Sequence, residues 1–103
     1  MGRVPAQAVK VPKSFDLFGN TIRVRKATPE SLEVNCTYGQ WLPGELEIYI
    51  RNDLKPDNAL QTFWHEFFHA ALEAAGKSRE SADEQFVETL AGLTLQMLKT
   101  AKY

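Results

Sequence analysis

Both histidines of the chain lie in one short motif. The sequence His65-Glu66-Phe67-Phe68-His69 sets two imidazoles four residues apart in a segment that favours a helix. At that spacing the two rings project from the same helical face, so their nitrogens can bind one metal ion at about 2.0–2.1 Å. Glu66 is displaced by roughly 100° around the helix, where it can reach a water molecule on the metal. The motif therefore predicts a metal site with Glu66 as a general base.

The chemistry expected at this motif is hydrolysis of a peptide bond. Zinc lowers the pKa of a bound water toward about 7, and Glu66 would take the proton and later deliver it to the leaving nitrogen. The helix around the motif is strongly apolar, with Phe63 and Trp64 before it and Ala70 to Leu72 after it. Such a helix has little reason to carry His, Glu and His unless a ligand compensates them.

Zinc requires a third protein ligand, and the chain has no third histidine to supply it. The expected second helix offers Asp83, Glu84 and Glu88, and Glu80 comes just before them. On a helical wheel centred on the expected apolar stripe, Glu84 lies nearer the buried side than Glu88 by roughly 40°. This favours Glu84 as the third ligand and Glu88 as a hydrogen-bond acceptor for a metal-bound histidine. The reverse assignment stays open, as does iron or manganese in place of zinc, although two histidines and one carboxylate suit zinc.

A long helix is expected to carry the motif. Apolar residues spaced by three or four continue from Ala59 to about Ala75. Asp57 is expected as the N-cap of this helix, and Gly76 is well placed as its C-terminal stop.

A second long helix is expected to present the acids. After a polar loop it runs from about Ser81 to Lys99, and Ser81 followed by Glu84 forms a capping-box pattern. The apolar stripe of this helix is expected to bury Phe86, Leu90, Leu93 and Met97, and it is widened by Val87, Ala91 and Leu98.

The first half of the chain has the alternation typical of strands. In Phe18-Gly19-Asn20 the Gly-Asn pair predicts the tight turn of a hairpin, whereas Gly39 and Pro43-Gly44 are expected to break the chain around Trp41-Leu42. Strands are expected over residues 15–17, 21–25, 32–38 and 45–51.

The expected fold class is α+β, because the strands precede the helices in the sequence. A small antiparallel sheet of about three strands in the N-terminal half would pack on the two long helices. The 103 residues fit a single domain, 1–103, in which residues 1–12 form a loose arm or an edge strand.

Composition and charge argue against several other functions. The formal net charge is -1 and no long basic run occurs, so nucleic-acid binding is not expected. The single cysteine, Cys36, excludes an internal disulfide and a Cys-rich zinc site, and a reducing cytoplasm is the expected compartment. No apolar run approaches the roughly 18 residues of a membrane span, so no membrane association is expected.

The residues from Thr62 to Ala70 resemble the active-site helix of gluzincin-type peptidases. Together with the strand before them and Glu84 to Ala91 after them, they look like the small phage and prophage metallopeptidases related to the ImmA/IrrE group. The resemblance implies a minimal zincin-like fold, one zinc ion and cleavage of a protein or peptide substrate, such as a regulator of a phage or mobile element. It also implies the cytoplasm of a bacterial host cell as the location.

The resemblance also bears on the third ligand and on the substrate. Glu84 and Glu88 resemble a Glu-x-x-x-Asp arrangement in which the first acid binds zinc and the second supports a histidine. Some larger gluzincins instead take their ligand after eighteen residues, a spacing that here selects Glu88 after His69. The strand Leu46 to Ile50 would be the sheet edge that pairs with an extended substrate.

Two further residues are candidates for substrate binding. Tyr49, which projects opposite to its neighbours on the strand, would stabilise an oxyanion or pack at an interface. Trp41 would line a specificity pocket or cover the core. Two other functions stay open: a metal-stabilised protein-binding or regulatory module without turnover, and a subunit whose active site a partner completes. Glu66 favours catalysis, since a structural metal site needs no base.

Overall fold

A computed structural model of the protein describes residues 10–32 and 38–103. Two long helices and a short one follow the strands in the chain, which confirms the α+β class and the two long helices. The elements are β1 (Ser14–Leu17), β2 (Asn20–Ala27), β3 (Gly39–Leu42), β4 (Glu47–Arg51), α1 (Pro56–Ala74), α2 (Ser78–Ser81) and α3 (Glu84–Thr100).

The first two strands form the expected hairpin. They pair antiparallel from Ser14 opposite Arg23 to Leu17 opposite Asn20. The two residues between them, Phe18 and Gly19, both have positive φ, at 46° and 82°. Two such residues in a two-residue loop match the twist of the flanking strands. The turn is therefore centred on Phe18-Gly19 and not on Gly19-Asn20.

The sheet has four strands in the order β1-β2-β4-β3, which corrects two expectations. It is mixed and not antiparallel, because β2 and β4 pair in parallel. The strand expected at the edge, Leu46 to Ile50, mostly forms β4 and lies inside the sheet between β2 and β3. The two edge strands are β1 and β3, and β3 pairs antiparallel with β4 from Gly39 opposite Ile50 to Leu42 opposite Glu47.

A strand forms where the sequence predicted a break. Gly39 opens β3, and the Pro43-Gly44 pair lies in the turn that joins β3 to β4. This hairpin decides the strand order, because β3 occupies the side of β4 that would otherwise be the edge. Residues 33–37 of the predicted strand over 32–38 lie outside the described residues, as do Cys36 and residues 1–9. Residues 10–12 belong to no strand, and Leu32 is buried but not in a strand.

The core lies between one face of the sheet and α1. Ile22, Ile48 and Ile50 from the strands pack with Ala59, Phe63 and Ala70 from the helix. Full burial of one aliphatic side chain of this size contributes about 1.5–3 kcal/mol. These contacts therefore fix α1 against the sheet and, with it, the direction in which the histidines project.

The ends of α1 follow simple backbone rules. Pro56 takes the first helical position after Lys55, so Asp57 lies in the first turn and is not the N-cap. The helix ends as expected at Gly76, whose φ is +78°. The amides of Gly76 and Lys77 donate to Glu73 and Leu72, a closure that satisfies the last carbonyls of the helix.

The second helical segment differs from the expected single helix. Ser81 ends the short α2, and α3 begins at Glu84 with Asp83 as its N-cap. The Asp83 carboxylate accepts a hydrogen bond from the Phe86 amide at 3.1 Å, which satisfies one of the free donors at the helix start. The capping box predicted from Ser81 is therefore wrong, because Asp83 provides the cap.

The buried face of α3 matches the predicted stripe only in part, because Val87 and Ala91 come from the residues expected to widen it. Val87, Ala91 and Leu95 are the buried residues of this helix. The predicted members Phe86, Leu93 and Met97 are 41%, 60% and 53% exposed. Relative to the centre of the predicted stripe, the helix is rotated so that Val87, Ala91 and Leu95 are buried. This rotation turns the acids at the start of α3 toward α1.

Candidate metal centre

The two long helices bring the predicted ligands together. His65 and His69 project from α1, and Glu84 projects from the first turn of α3. The Nε2 atom of His65 lies 2.9 Å from Glu84 Oε1, and the Nε2 atom of His69 lies 3.4 Å from Glu84 Oε2. The two Nε2 atoms are 3.2 Å apart. The three groups are placed to hold one metal ion.

The spacing of these atoms fits a metal ion. Ligands at about 2.0–2.2 Å in a tetrahedral site lie roughly 3.3–3.5 Å from one another. The observed separations of 2.9, 3.2 and 3.4 Å are at or slightly below that range. A small outward movement of Glu84 would accommodate an ion. Its side chain is 70% exposed, so that movement meets little packing.

Hydrogen bonding fixes the tautomer of His65. Its Nδ1 atom lies 2.7 Å from Oε1 of Glu88. An ionised carboxylate only accepts hydrogen bonds, so Nδ1 carries the proton and Nε2 of the neutral ring presents a lone pair. That lone pair faces the carboxylate of Glu84, which is also an acceptor. The cluster therefore requires a positive charge between them, from a bound cation or from an added proton.

The structure gives Glu84 and Glu88 different positions. Glu84 lies beside both Nε2 atoms, whereas Glu88 contacts the opposite nitrogen of His65 and accepts from Gln61 Nε2 at 3.2 Å. This is the arrangement that the helical wheel favoured. A carboxylate behind a ligating histidine orients the ring and raises its basicity.

Glu66 is buried beside this cluster and is 9% exposed. Its burial raises the pKa of the carboxyl group from 4.5 to about 7. The electrostatic effect of the neighbouring His65 and a hydrogen bond from the Trp41 amide lower this pKa, whereas the charge of Glu84 raises it. A carboxyl group with a pKa near neutrality is suited to accept and return a proton at physiological pH.

Gly39 allows β3 to cross α1 next to Glu66. A Cβ atom at this position would lie 2.6 Å from Thr62 Cγ2 and 2.8 Å from the Tyr49 carbonyl oxygen. Real Cβ atoms do not approach other atoms this closely, so only glycine fits. The sequence signal at Gly39 predicted a break, whereas its role is the close approach of a strand to the helix that carries Glu66.

The outer edge of β3 faces the site. The Arg51 amide donates to the Tyr38 carbonyl at 2.9 Å, so in this register Gln40 also directs its main-chain groups toward β4. Gly39 and Trp41 direct theirs to the outer edge, where the Trp41 amide reaches Glu66. The Trp41 side chain lies in the wall of the cavity, and its Nε1 donates to Glu73 Oε1 at 2.9 Å.

An open cavity of about 1040 Å³ extends over these residues. Among the described residues it is lined by Tyr38 and β3 on one side and by α1 and the two acids of α3 on the other. Tyr49 is not one of them. Ile48 and Ile50 point into the core, so Tyr49 points to the opposite face of the sheet, where its hydroxyl donates to Glu47 at 2.7 Å. That bond raises the pKa of Tyr49, and the structure does not bring the Tyr49 side chain to the histidines and Glu84.

Sequence reasoning missed two residues near His69. The Nδ1 atom of His69 lies 3.0 Å from Ser81 Oγ, and Ser81 Oγ lies 2.8 Å from Glu73 Oε2. The only sequence signal at Glu73 is an acid in the last turn of a helix, where an anion is unfavourable. Ser81 matched the pattern of a helix N-cap, so its contact with His69 was not predicted.

Comparisons with known proteins give no assignment. No family model, no curated protein and no solved structure matches this chain. Within residues 10–32 and 38–103, none of the helices has the length and apolar character needed to cross a membrane.

Proposed function

We propose that this protein is a zinc-dependent metallopeptidase that hydrolyses peptide bonds in a protein or peptide substrate. One observation carries the proposal: three ligand groups converge beside a buried carboxyl group. His65, His69 and Glu84 supply the ligands, and Glu66 is the carboxyl group, with a pKa near 7. A site that only stabilised the fold would gain nothing from burying an acid there.

The donor set supports zinc as the metal. Two imidazole nitrogens and one carboxylate are a common ligand set of catalytic zinc, which leaves a fourth position for water. The cluster borders the open cavity, so that fourth position is accessible to a substrate. The hydrogen bond between His65 and Glu88 supports the ligand role of His65, since it holds the metal-binding nitrogen unprotonated.

Glu66 would move the proton in this reaction. When bound, zinc would acidify a water molecule and polarise the substrate carbonyl group. The carboxylate of Glu66 would accept a proton from the attacking water and deliver it to the leaving nitrogen. A nearby divalent cation favours the ionised form of Glu66, which is the form that acts as the base.

The edge strand β3 would bind the substrate main chain. An extended peptide can add to an exposed sheet edge through main-chain hydrogen bonds. The outer edge of β3 faces the cavity at Trp41, next to Glu66. A peptide placed there would run beside the metal ligands. A phage or mobile-element regulator as the target, and the cytoplasm of a bacterial host as the location, follow from the sequence resemblance alone.

The test is cleavage by the zinc-loaded protein and its Glu66→Gln variant. We expect wild type to cut peptides from a mixed library and Glu66→Gln to lose at least about 100-fold in rate, the usual contribution of a positioned base. Zinc stoichiometry should not change, because Glu66 is not a ligand. Glu45→Gln is the matched control, since Glu45 is exposed in the turn before β4. Equal cleavage by Glu66→Gln and wild type would refute the mechanism.

A second candidate is a metal-stabilised binding module without turnover. The observation that favours it is that the ligands come from two helices, so a bound ion would join α1 to α3. This module would bind zinc and gain thermal stability without cutting any peptide. The same experiment separates the two functions, because only the peptidase shows cleavage that depends on Glu66.

A further inference from the structure

We infer that Ser81 and Glu73 are positioning residues: they hold His69 in the orientation that binds metal and tie it to Trp41 in the cavity wall. The inference rests on the metal site of the proposed function but not on peptide hydrolysis. A hydrogen-bonded series runs from Trp41 through Glu73 and Ser81 to His69, with separations of 2.9, 2.8 and 3.0 Å.

The protons in this series can be assigned. Ser81 has one hydroxyl proton, and it donates that proton to the Glu73 carboxylate, which can only accept. The Ser81 oxygen must then accept from Nδ1 of His69. The neutral ring of His69 therefore carries its proton on Nδ1 and directs the lone pair of Nε2 toward Glu84. Ser81 is only 3% exposed, so water does not readily replace it.

The negative charge of Glu73 is unfavourable at its position in the helix unless hydrogen bonds compensate it. Glu73 lies in the last turn of α1, where the helix dipole disfavours a negative charge. Both of its oxygens are occupied: Oε1 accepts from the Trp41 indole and Oε2 accepts from Ser81. These two donors compensate the charge and place the carboxylate between the cavity wall and the second histidine.

The series connects three elements that are separate in the sequence. Trp41 belongs to β3, Glu73 follows His69 by one turn of α1, and Ser81 ends α2. The orientation of one metal ligand is therefore linked to the side chain that borders the proposed peptide-binding edge. Removal of a group that orients a ligating histidine typically weakens metal binding by 10–100-fold.

The first experiment measures zinc affinity by competition with a chromophoric chelator. We expect Ser81→Ala to raise the zinc dissociation constant by about 10–100-fold. Ser78→Ala is the matched control, because Ser78 is exposed in the same short helix, and its affinity should stay within about twofold of wild type. Equal zinc affinity in Ser81→Ala and wild type would overturn the inference.

The second experiment detects the tautomers directly in the metal-free protein. Nitrogen-15 NMR is recorded while the pH is raised until the nitrogen shifts themselves show a neutral imidazole, and the neutral ring of His69 should then carry its proton on Nδ1 in wild type. Ser81→Ala should redistribute this proton between the two nitrogens of His69 and leave His65 unchanged, since Glu88 still holds it. A protonated Nε2 of His69 in wild type would contradict the assignment even if the variants bind zinc weakly.

The third experiment uses Glu73→Gln, which tests the series at an exposed site where misfolding is not expected. An amide cannot accept from both Trp41 and Ser81 through two oxygens, so we expect a shifted Trp41 indole N–H resonance and a several-fold loss of zinc affinity. Glu80→Gln removes the same charge from an exposed position and should do neither. No change in either readout would refute a role for Glu73.

These outcomes distinguish the inference from the proposed function. Absence of zinc binding by the wild-type protein would refute the metal site, and with it both the proposed function and the positioning role. A wild type that binds zinc, loses affinity on Ser81→Ala and cuts no peptide would support the positioning role while refuting the peptidase. If the wild type cuts peptides and Ser81→Ala changes neither zinc affinity nor the tautomer of His69, the result would support the peptidase and refute the positioning role.

Discussion

Replacing Glu66 with glutamine should stabilise the metal-free protein at neutral pH and leave its stability unchanged in acid. Burial raises the pKa of Glu66 from 4.5 to about 7 in the folded chain, so folding opposes its ionisation. Glutamine has nearly the same shape and no charge to bury. Its side-chain oxygen can still accept the hydrogen bond from the Trp41 amide.

The sign of the pH dependence follows from the raised pKa. Below about pH 4.5 the carboxyl group is protonated in both the folded and the unfolded chain, so its ionisation does not lower the free energy of unfolding. Between pH 4.5 and about 7 the unfolded chain releases this proton while the folded chain retains it, so the free energy of unfolding decreases as pH rises. Above about 7 the folded protein carries the full cost of a buried charge.

The magnitude follows from the same two pKa values. Each tenfold change in the protonation equilibrium is worth about 1.4 kcal/mol, so the rise from 4.5 to about 7 corresponds to about 3 kcal/mol. We therefore expect Glu66→Gln to gain about 3 kcal/mol in unfolding free energy near pH 8. For a chain of this length, that gain corresponds to roughly 12–24 °C in melting temperature.

The assay is urea unfolding followed by circular dichroism, in the presence of a metal chelator, over a series of pH values. Glu80→Gln is the control for the loss of one exposed acid. Hydrogen bonds from the Tyr49 hydroxyl and from Arg25 lower the pKa of Glu47, and hydrogen bonds from Arg51 lower the pKa of Asp53. These groups are common to both proteins, so their effects cancel in the difference. A Glu66→Gln variant that is no more stable at pH 8, or whose gain is independent of pH, would refute the reasoning.

The remaining predictions concern the ligands, a helix cap and the strand crossing. His69→Ala should abolish stoichiometric zinc binding measured by elemental analysis, because only two of the three ligands remain; unchanged stoichiometry would exclude His69 as a ligand. Asp83→Ala should lower the unfolding free energy by about 0.5–2 kcal/mol through loss of the cap on α3; a change below that range in urea unfolding would show that the cap is dispensable. Gly39→Ala should destabilise by about 1–3 kcal/mol, because the added methyl group overlaps Thr62 and the Tyr49 carbonyl oxygen, whereas Gly44→Ala, which meets no atom, should change stability much less.

Local rules were sufficient to identify several features of this protein. Two histidines four residues apart on one helix face follow from helical geometry alone, and their convergence needs no distant contact. Gly76 ends α1 because only a residue that tolerates positive φ closes the helix there. The hairpin of β1 and β2 also follows from neighbouring residues, since its turn and its alternation lie within a short segment.

The edge of the sheet was not decided by the sequence pattern. Alternation in Leu46 to Ile50 predicts a strand but not its neighbours, because strand order depends on contacts between distant segments. Gly39 illustrates the difficulty: in isolation it favours a break, but here it lets β3 pass against α1 where any side chain would collide. Once β3 takes the outer position, β4 becomes a central strand and cannot pair with a substrate.

The candidate metal centre also depends partly on local sequence and partly on tertiary packing. The identity of His65, Glu66 and His69 as site residues was determined by sequence, because motif and helix are local. The side of α3 that faces them was decided by tertiary packing: Val87, Ala91 and Leu95 are buried, Glu84 and Glu88 lie beside His65, and Phe86 is 41% exposed. The contact of Ser81 with His69 exists only because α1 closes at Gly76 and the chain returns, a geometry that no spacing of residues specifies by itself.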